Sequence, residues 1–384
     1  MYYFKEVQKL QIDVRRVAVF RETIEAPASI VETICAELGA SGAKARAWPI
    51  KGWTLVELDG PARTRSELVL FVDALANHPS VAFASPVFTD RFGQPMFLSR
   101  DAIVRIADTM VNPNDGQKLI ASWWTGSILA NNWAHMPGAH LLRTSRKNGF
   151  DLLREANAIA RRPEIVFAEP DMIATARKSR EPRDRSATNR RPTNWALNAL
   201  NAQAAWNLVN PFGSSGPTIR IAIIDDGIEA FASQVQHPDL PAMTDGIDVT
   251  SGTAQPGGWP VTPFDNHGTL VAGCIAAIHG NSVGPDGIAG FANHFPITSI
   301  RAFVQAPDGM GGSTTFYQSS WIVQALDEAL QRGARITNLS YSLTSLAAIV
   351  MKYDETHAAG MVHFAAAGNH QSPPDPGVAF PANL

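Results

Sequence analysis

The sequence predicts an α/β protein: a doubly wound, mainly parallel sheet in its second half, preceded by two small α+β modules. Three observations predict it. From Trp195 onward, β-branched runs such as TIRIAII alternate with helical stretches such as WIVQALDEALQRG, an order that places parallel strands between helices. In the first half, ALANHPSVAFASPVF (74–88) returns as AIARRPEIVFAEPDM (158–172), an offset of 84 residues that sets Pro79 against Pro163 and Pro86 against Pro170. Between the halves, ATARKSREPRDRSATNRRPTN (174–194) is dense in Arg, Ser, Thr and Pro, has almost nothing to bury, and reads as an exposed tether or a place where the chain is cut.

Each copy of the repeat fits a β-α-β-β-α-β series, the split β-α-β arrangement of ferredoxin-like modules. The first copy, residues 1–95, has strands at RRVAVF, KARAWPI, WTLVELD and VAFASPVF and helices at SIVETICAELG and SELVLFVDALAN. The second copy, residues 96–173, has strands at DAIVRIAD, GAHLLRT and EIVFAEP and a helix at GFDLLREANAIA, while its middle, GQKLIASWWTG, is ambiguous. A linker at 174–193 leads to the domain at 194–384. There the order runs TIRIAII (strand), HGTLVAGCIAAI (helix), ITSIRAFV (strand), WIVQALDEALQRG (helix with a Gly stop), ARITNLSYS (strand) and MVHFAAAGN (strand).

The bulk numbers exclude several function classes. The 384 residues are 45% hydrophobic and 17% charged, with a net charge of −3. That near balance argues against nucleic acid or an anionic membrane as the main partner. No apolar run reaches the roughly 18 residues of a membrane span. The first twenty residues do not read as a signal peptide, and the compartment is left open. The two cysteines, Cys35 and Cys274, are far apart and outside any C-x-x-C, which excludes a disulfide scaffold and a thiolate zinc site. Cys274, in AGCIAA, is expected to pack as a small buried hydrophobe.

In a parallel doubly wound sheet the functional crevice forms at the carboxyl ends of the strands. Asp225, Asn338, Ser340 and Asn369 all fall at such ends. In FDNHGTLVAGCIAA, a titratable ring, His267, stands at the mouth of a run of small residues. A helix starting hard against a sheet needs little side-chain bulk, which explains Gly268, Ala272 and Gly273 despite a glycine cost of roughly 1 kcal/mol in a helix.

Taken in order, IAIIDDGIEA with HPDL, DNHGTLVAG, ITNLSYS and AAAGN resemble the subtilisin-like serine peptidases, the subtilases, over residues 193–384. The prelude NWALNALNAQAAW is similar to the opening of the mature enzyme in many members. The resemblance implies a hydrolase of peptide bonds, with Asp225 as the carboxylate and His267 as the general base of an Asp-His-Ser triad, in the chain order of this family. It implies Asn369 as the oxyanion-hole donor. It implies that Asn338, Ser340, Tyr341 and Ser342 form the strand that pairs with an extended substrate. Two positions depart from the common pattern. Asp226 replaces a Thr or Ser and reads as a substrate-side or structural charge, and Ser342 replaces a Gly. His237 is expected to fix a turn, and His279 and His363 to be structural.

The nucleophile of the family sits in a G-T-S-x-x-x-P segment after the asparagine motif. No such segment occurs in the 384 residues, and GGSTTF (311–316) precedes Asn369. The expectation is a pro-form truncated at its C-terminus, inactive as written. VFAEPD resembles the end of a subtilase propeptide, so the second copy is expected to act as folding aid and inhibitor with its last residues in the cleft. The expected partners are a polypeptide substrate and the chain's own propeptide. No cofactor is required; calcium binding is common in the family, but no ligands are assigned to it. The alternatives are a non-catalytic peptide-binding or scaffold protein on the same fold, and a metal-dependent hydrolase built on Asp225, Asp226 and His267.

Overall fold

The computed structural model describes all residues except 1, 4–5, 8–9, 23–26, 91–92, 108–112, 179–194, 210–217, 231–236, 244, 252–253, 292–293, 308–311 and 369–376. It divides into two compact units. The first comprises Met1–Thr175 with Gln318–Ser320 and Thr344–Met351, and the second Ala176–Tyr317, Trp321–Leu343 and Lys352–Leu384.

In the first unit, a short antiparallel pair, β1 (Tyr2–Tyr3) and β2 (Glu6–Val7), precedes the repeat. The first copy consists of β3 (Gln11–Phe20), α1 (Ser29–Glu37), β4 (Lys44–Ala47), β5 (Trp53–Glu57), α2 (Arg65–Asn77) and β6 (Phe83–Thr89). Its strands are antiparallel in the order β4-β5-β3-β6. Val31 and Ile34 of α1 and Leu68, Val72 and Leu75 of α2 pack on Val17 and Val19 of β3, the apolar face that the helical spacing predicts. Helix α2 starts with a capping box, in which Thr64 and Glu67 satisfy each other's backbone N–H groups.

The second copy consists of β7 (Pro95–Ile106), α3 (Pro113–Trp123), β8 (Gly126–Asn131), β9 (Ala139–Thr144), α4 (Gly149–Ala160) and β10 (Ile165–Lys178). Its ladders run β8-β9-β7-β10, also antiparallel. The ambiguous stretch around residues 116–126 is helix α3 followed by the start of strand β8. Pro86 and Pro170, the repeat-related prolines, each sit beside a register irregularity in their ladders. Proline lacks the N–H that a regular ladder uses, so a bulge is where it fits. Strand β10 continues to Lys178, past the expected boundary at 173.

The second unit opens with helices α5 (Trp195–Ala199) and α6 (Ala202–Val209). Its strands are β11 (Ile221–Asp225), β12 (Gly246–Asp248), β13 (Gln255–Pro256), β14 (Ile297–Arg301), a hairpin of β15 (Val304–Pro307) and β16 (Ser313–Gln318), β17 (Ile336–Leu339), β18 (Tyr341–Ser342) and β19 (Val362–Ala365). Its longer helices are α7 (His267–Ala276), α8 (Ser319–Gln331) and α9 (Ala347–Ala358), and the first residues of α8 and α9 count with the first unit. The sheet order is β13-β12-β14-β11-β17-β19, parallel apart from β13. All five residues of β11 are buried, as a strand covered on both faces requires. Ala272 and Ala276 of α7 pack on Ile221 and Ile223 of β11. Strand order reverses at β11, which has β14 on one side and β17 on the other. That reversal is a switch point of the parallel sheet, and Asp225 is the last residue of the switching strand.

Candidate active site

Strand β11 delivers Asp225 to the carboxyl edge of the sheet, and helix α7 begins with His267 beside it. The gap of 42 residues closes to a contact of 2.9 Å between His267 Nδ1 and Asp225 Oδ1, with Oδ2 at 3.1 Å. Both side chains are almost wholly buried, His267 at 3% exposure and Asp225 at 0%. Because the carboxylate only accepts, Nδ1 carries the proton and the acceptor lone pair of the neutral ring lies at Nε2.

Close approach of helix and strand depends on two glycines. A Cβ on Gly268 would lie 2.4 Å from the Gly227 carbonyl oxygen and 3.0 Å from the Asp225 Cβ. Gly227 itself has φ +115°, and a Cβ there would meet the backbone of Trp259 at 2.6 Å. Gly268 is therefore a steric requirement of the site, whereas the expectation for Gly273 is corrected: a Cβ there would meet nothing within 4 Å.

Further groups hold Asp225. Its Oδ1 accepts from the Asp226 N–H at 2.8 Å and from the Tyr341 hydroxyl at 3.2 Å. The Tyr341 ring lies 4.6 Å from the His267 ring and stacks on Phe303 at 4.1 Å. Burial, reinforced by the charges of Asp225 and Asp226, pushes the Tyr341 hydroxyl well above its ordinary range, so it stays a donor. Asp226 is fully buried and faces the first turn of α7. Burial and then the charge of Asp225 raise its carboxyl to about 7. The loop before His267 is tied down by Asp265, which accepts from the N–H groups of Val261 and Thr262 and pairs with the buried Arg301 guanidinium at 3.3 Å.

Of the other predicted residues, Asn338 lies on β17 and donates to Ser340 Oγ at 2.9 Å. Tyr341 and Ser342 form β18, whose backbone pairs antiparallel with residues 177–178 at the end of β10. Asn369 lies outside the described residues. His237 accepts from the Asp239 N–H at 3.2 Å, a local turn contact. His279 stacks on Phe291. His363 bridges Thr337 and Thr356, and burial followed by the charge of His357 lowers it to about 4. The expectation of a buried Cys274 is corrected: it is exposed, on the side of α7 turned away from the sheet-facing Ala272 and Ala276.

Among the described residues no group of three or more His, Cys, Asp or Glu side chains is arranged to hold a metal ion. Asp226, a ligand in the metal-hydrolase alternative, is instead surrounded by donors: the N–H groups of His267 and Gly268 and the Gln305 amide. The contributions of Tyr341, Gln305 and Asp265 have no signal in the sequence beyond membership of the right segments.

The model of the subtilase family matches residues 216–384. Over these residues the chain is similar to the subtilase family. The chain is similar to subtilisin E of Bacillus subtilis (strain 168), with 29% identity over 211 residues, 55% of this chain and 45% of that protein. It is similar to subtilisin of Bacillus pumilus, with 32% identity over 161 residues, 42% of this chain and 50% of that protein. The chain thus spans about half the length of the curated relatives it matches. Among solved structures it overlaps fervidolysin from Fervidobacterium pennivorans with 17% identity and a TM-score of 0.38, covering 99% of this chain and 43% of that one. No helix among the described residues is long and apolar enough to cross a membrane.

Proposed function

We propose that this chain is part of a serine endopeptidase in its pro-form, in which His267 is the general base and Asp225 its orienting carboxylate. The observation that carries this is the buried 2.9 Å contact between Nδ1 and Oδ1 at the carboxyl end of the switch strand. In the proposed reaction, Nε2 of His267 takes the proton of an attacking serine hydroxyl as the hydroxyl oxygen bonds to the scissile carbonyl carbon. The carboxylate of Asp225 stabilises the imidazolium, which then gives the proton to the departing amine. Asn369 is proposed to donate to the carbonyl oxygen as it becomes negative. The reading requires a serine opposite Nε2, and none of the motifs in residues 1–384 supplies it.

The substrate is proposed to be polypeptide, bound as an added strand along Asn338–Ser342. The antiparallel pairing of residues 177–178 with Tyr341 and Ser342 supports this, since it is the geometry an extended peptide would adopt. The same pairing supports a pro-region role for the second repeat copy, with its end in the cleft. Within the first unit, Glu169 accepts from the N–H groups of Ala347 and Ala348 at the start of α9, and Asp171 from that of Ser320 at the start of α8. Carboxylates at helix N-termini complement the partial positive charge there. The two repeat copies are proposed to be ferredoxin-like, supported by their matching strand orders. Calcium is retained as an optional ligand without assigned residues.

The test is fluorophosphonate labelling of the protein made from its full reading frame, followed by peptide mapping. The expected result is one labelled serine and no labelling in a His267→Ala variant. A protein that folds but leaves every serine unlabelled is a peptide-binding scaffold, and overturns the proposal.

A further inference from the structure

The residue after Asp225 makes contacts that the triad chemistry does not call for. Helix α7 starts at His267, and its N-cap residue Asn266 makes no side-chain capping bond. The first N–H groups of a helix have no partner within it and need an acceptor from elsewhere. Here the acceptor comes from another element. Asp226 Oδ1 accepts from Gly268 N–H at 2.8 Å, and Oδ2 from His267 N–H at 3.3 Å.

Asp226 is itself held. The Gln305 side-chain amide donates to its Oδ2, and Gln305 Oε1 accepts from Ser313 Oγ at 2.7 Å across the β15–β16 hairpin. Gln305 is buried as well, at 2% exposure. Two buried groups, Asp226 and Gln305, backed by the half-buried Ser313, therefore fix where α7 begins.

Position matters because Asp225 grips only the ring of His267, and a ring hung on two single bonds can follow its carboxylate while the backbone drifts. Asp226 removes that freedom by gripping the backbone at the same residue. Adjacent carboxylates at the end of one strand thus hold the ring and the main chain of His267 against the same sheet edge. We propose that Asp226 is a positioning residue for the base, acting as the tertiary cap of the helix that carries it, with Gln305 orienting it. The proposal deepens the peptidase reading and uses its assignment of His267, but its geometry stands without hydrolysis.

Groups facing His267 include Asp225 from β11, Asp226 from the turn after it and Tyr341 from β18; the charge of Asp265, in the loop before α7, acts on Asp226, and Asp265 itself pairs with Arg301 of β14. Any variant of Asp226 must be read against that surrounding charge. The experiment uses the 384-residue chain with nitrogen-15-labelled histidine. It reads the Nδ1 proton of His267, assigned by its absence in His267→Gln, together with hydrogen exchange of the Gly268 amide.

In Asp226→Ala the Nδ1 proton signal is expected to broaden beyond detection and Gly268 exchange to accelerate at least tenfold. Asp226→Asn keeps an acceptor oxygen and is expected to retain the signal, with exchange between the two. If Asp226→Ala does not fold, Gln305→Ala, which leaves every carboxylate in place, is expected to accelerate Gly268 exchange several-fold. Unchanged exchange and an unchanged Nδ1 signal in all variants that fold overturn the proposal. Because no turnover is read, a protein that proves inactive leaves this result standing and sinks only the peptidase reading.

Discussion

Replacing Gly268 by alanine sets two effects of opposite sign against each other. Alanine is favoured over glycine inside a helix by about 1 kcal/mol, so propensity alone predicts a more stable α7. The structure predicts the reverse. The new Cβ would stand 2.4 Å from the Gly227 carbonyl oxygen, about 1 Å inside ordinary contact, and 3.0 Å from the Asp225 Cβ. The carbonyl cannot retreat cheaply, because Gly227 already lies against the backbone of Trp259. Overpacking of this kind costs about 1–3 kcal/mol, which exceeds the propensity gain in most of its range. Gly268→Ala is therefore expected to destabilise α7 by about 1 kcal/mol net, accelerating amide exchange across residues 268–272 by about fivefold, since 1.4 kcal/mol is a factor of ten. The assay is hydrogen exchange read by mass spectrometry on the α7 peptide. Exchange slowed about fivefold, as propensity alone predicts, would refute the close-packing argument for Gly268.

Further outcomes concern titration and buried charge. Burial raises Glu169 to about 7, so its contribution to stability is fully present below its ordinary pKa of 4.5 and is lost as pH rises through 7. Glu169→Gln is expected to flatten the pH dependence of thermal unfolding over that window; an unchanged slope contradicts the assignment. His363 is lowered to about 4, so the stability tied to its neutral ring is present above pH 6.5 and lost as pH falls towards 4. His363→Gln is expected to shrink that acid-side loss, measured by urea unfolding at pH 4.5 and 7. Lys352 is 2% exposed and bonds Asp327 at 2.8 Å. Lys352→Met strands a buried carboxylate and is expected to cost about 3–5 kcal/mol, whereas a double change with Asp327→Leu recovers most of it. A double variant no better than the single one in denaturant titration would be the contrary result.

Much of the architecture is legible in the residues because local pattern and tertiary demand agree. The runs around Ile221–Asp225, Ser319–Gln331 and Arg65–Asn77 have the period and the end signals of the elements they form. The second copy is less legible at α3, where Gly116 and a scatter of polar residues hide a helix whose existence is required by the repeat. Cys274 misleads for a related reason: a stripe of small residues has no bulk to mark its buried side. At the site, chain order pairs Asp225 with His267 through resemblance, but no spacing rule brings residues 42 apart to 2.9 Å. The inward turn of Tyr341, the grip of Asp226 on α7 and the Gln305 bridge arise where separate segments meet. They are properties of the approach and leave no trace in any one segment.

The central claim, that the buried carboxylate of Asp225 makes His267 a base for peptide hydrolysis, is tested most directly by the turnover of Asp225→Asn in the protein made from its full reading frame. The substitution preserves shape but places an amide where Nδ1 needs an acceptor, favouring the wrong tautomer. The account predicts a loss of about 10⁴ in kcat, the scale of this change in a serine protease triad, with KM and thermal midpoint little altered. A variant that folds and turns over within tenfold of the unsubstituted protein would contradict it.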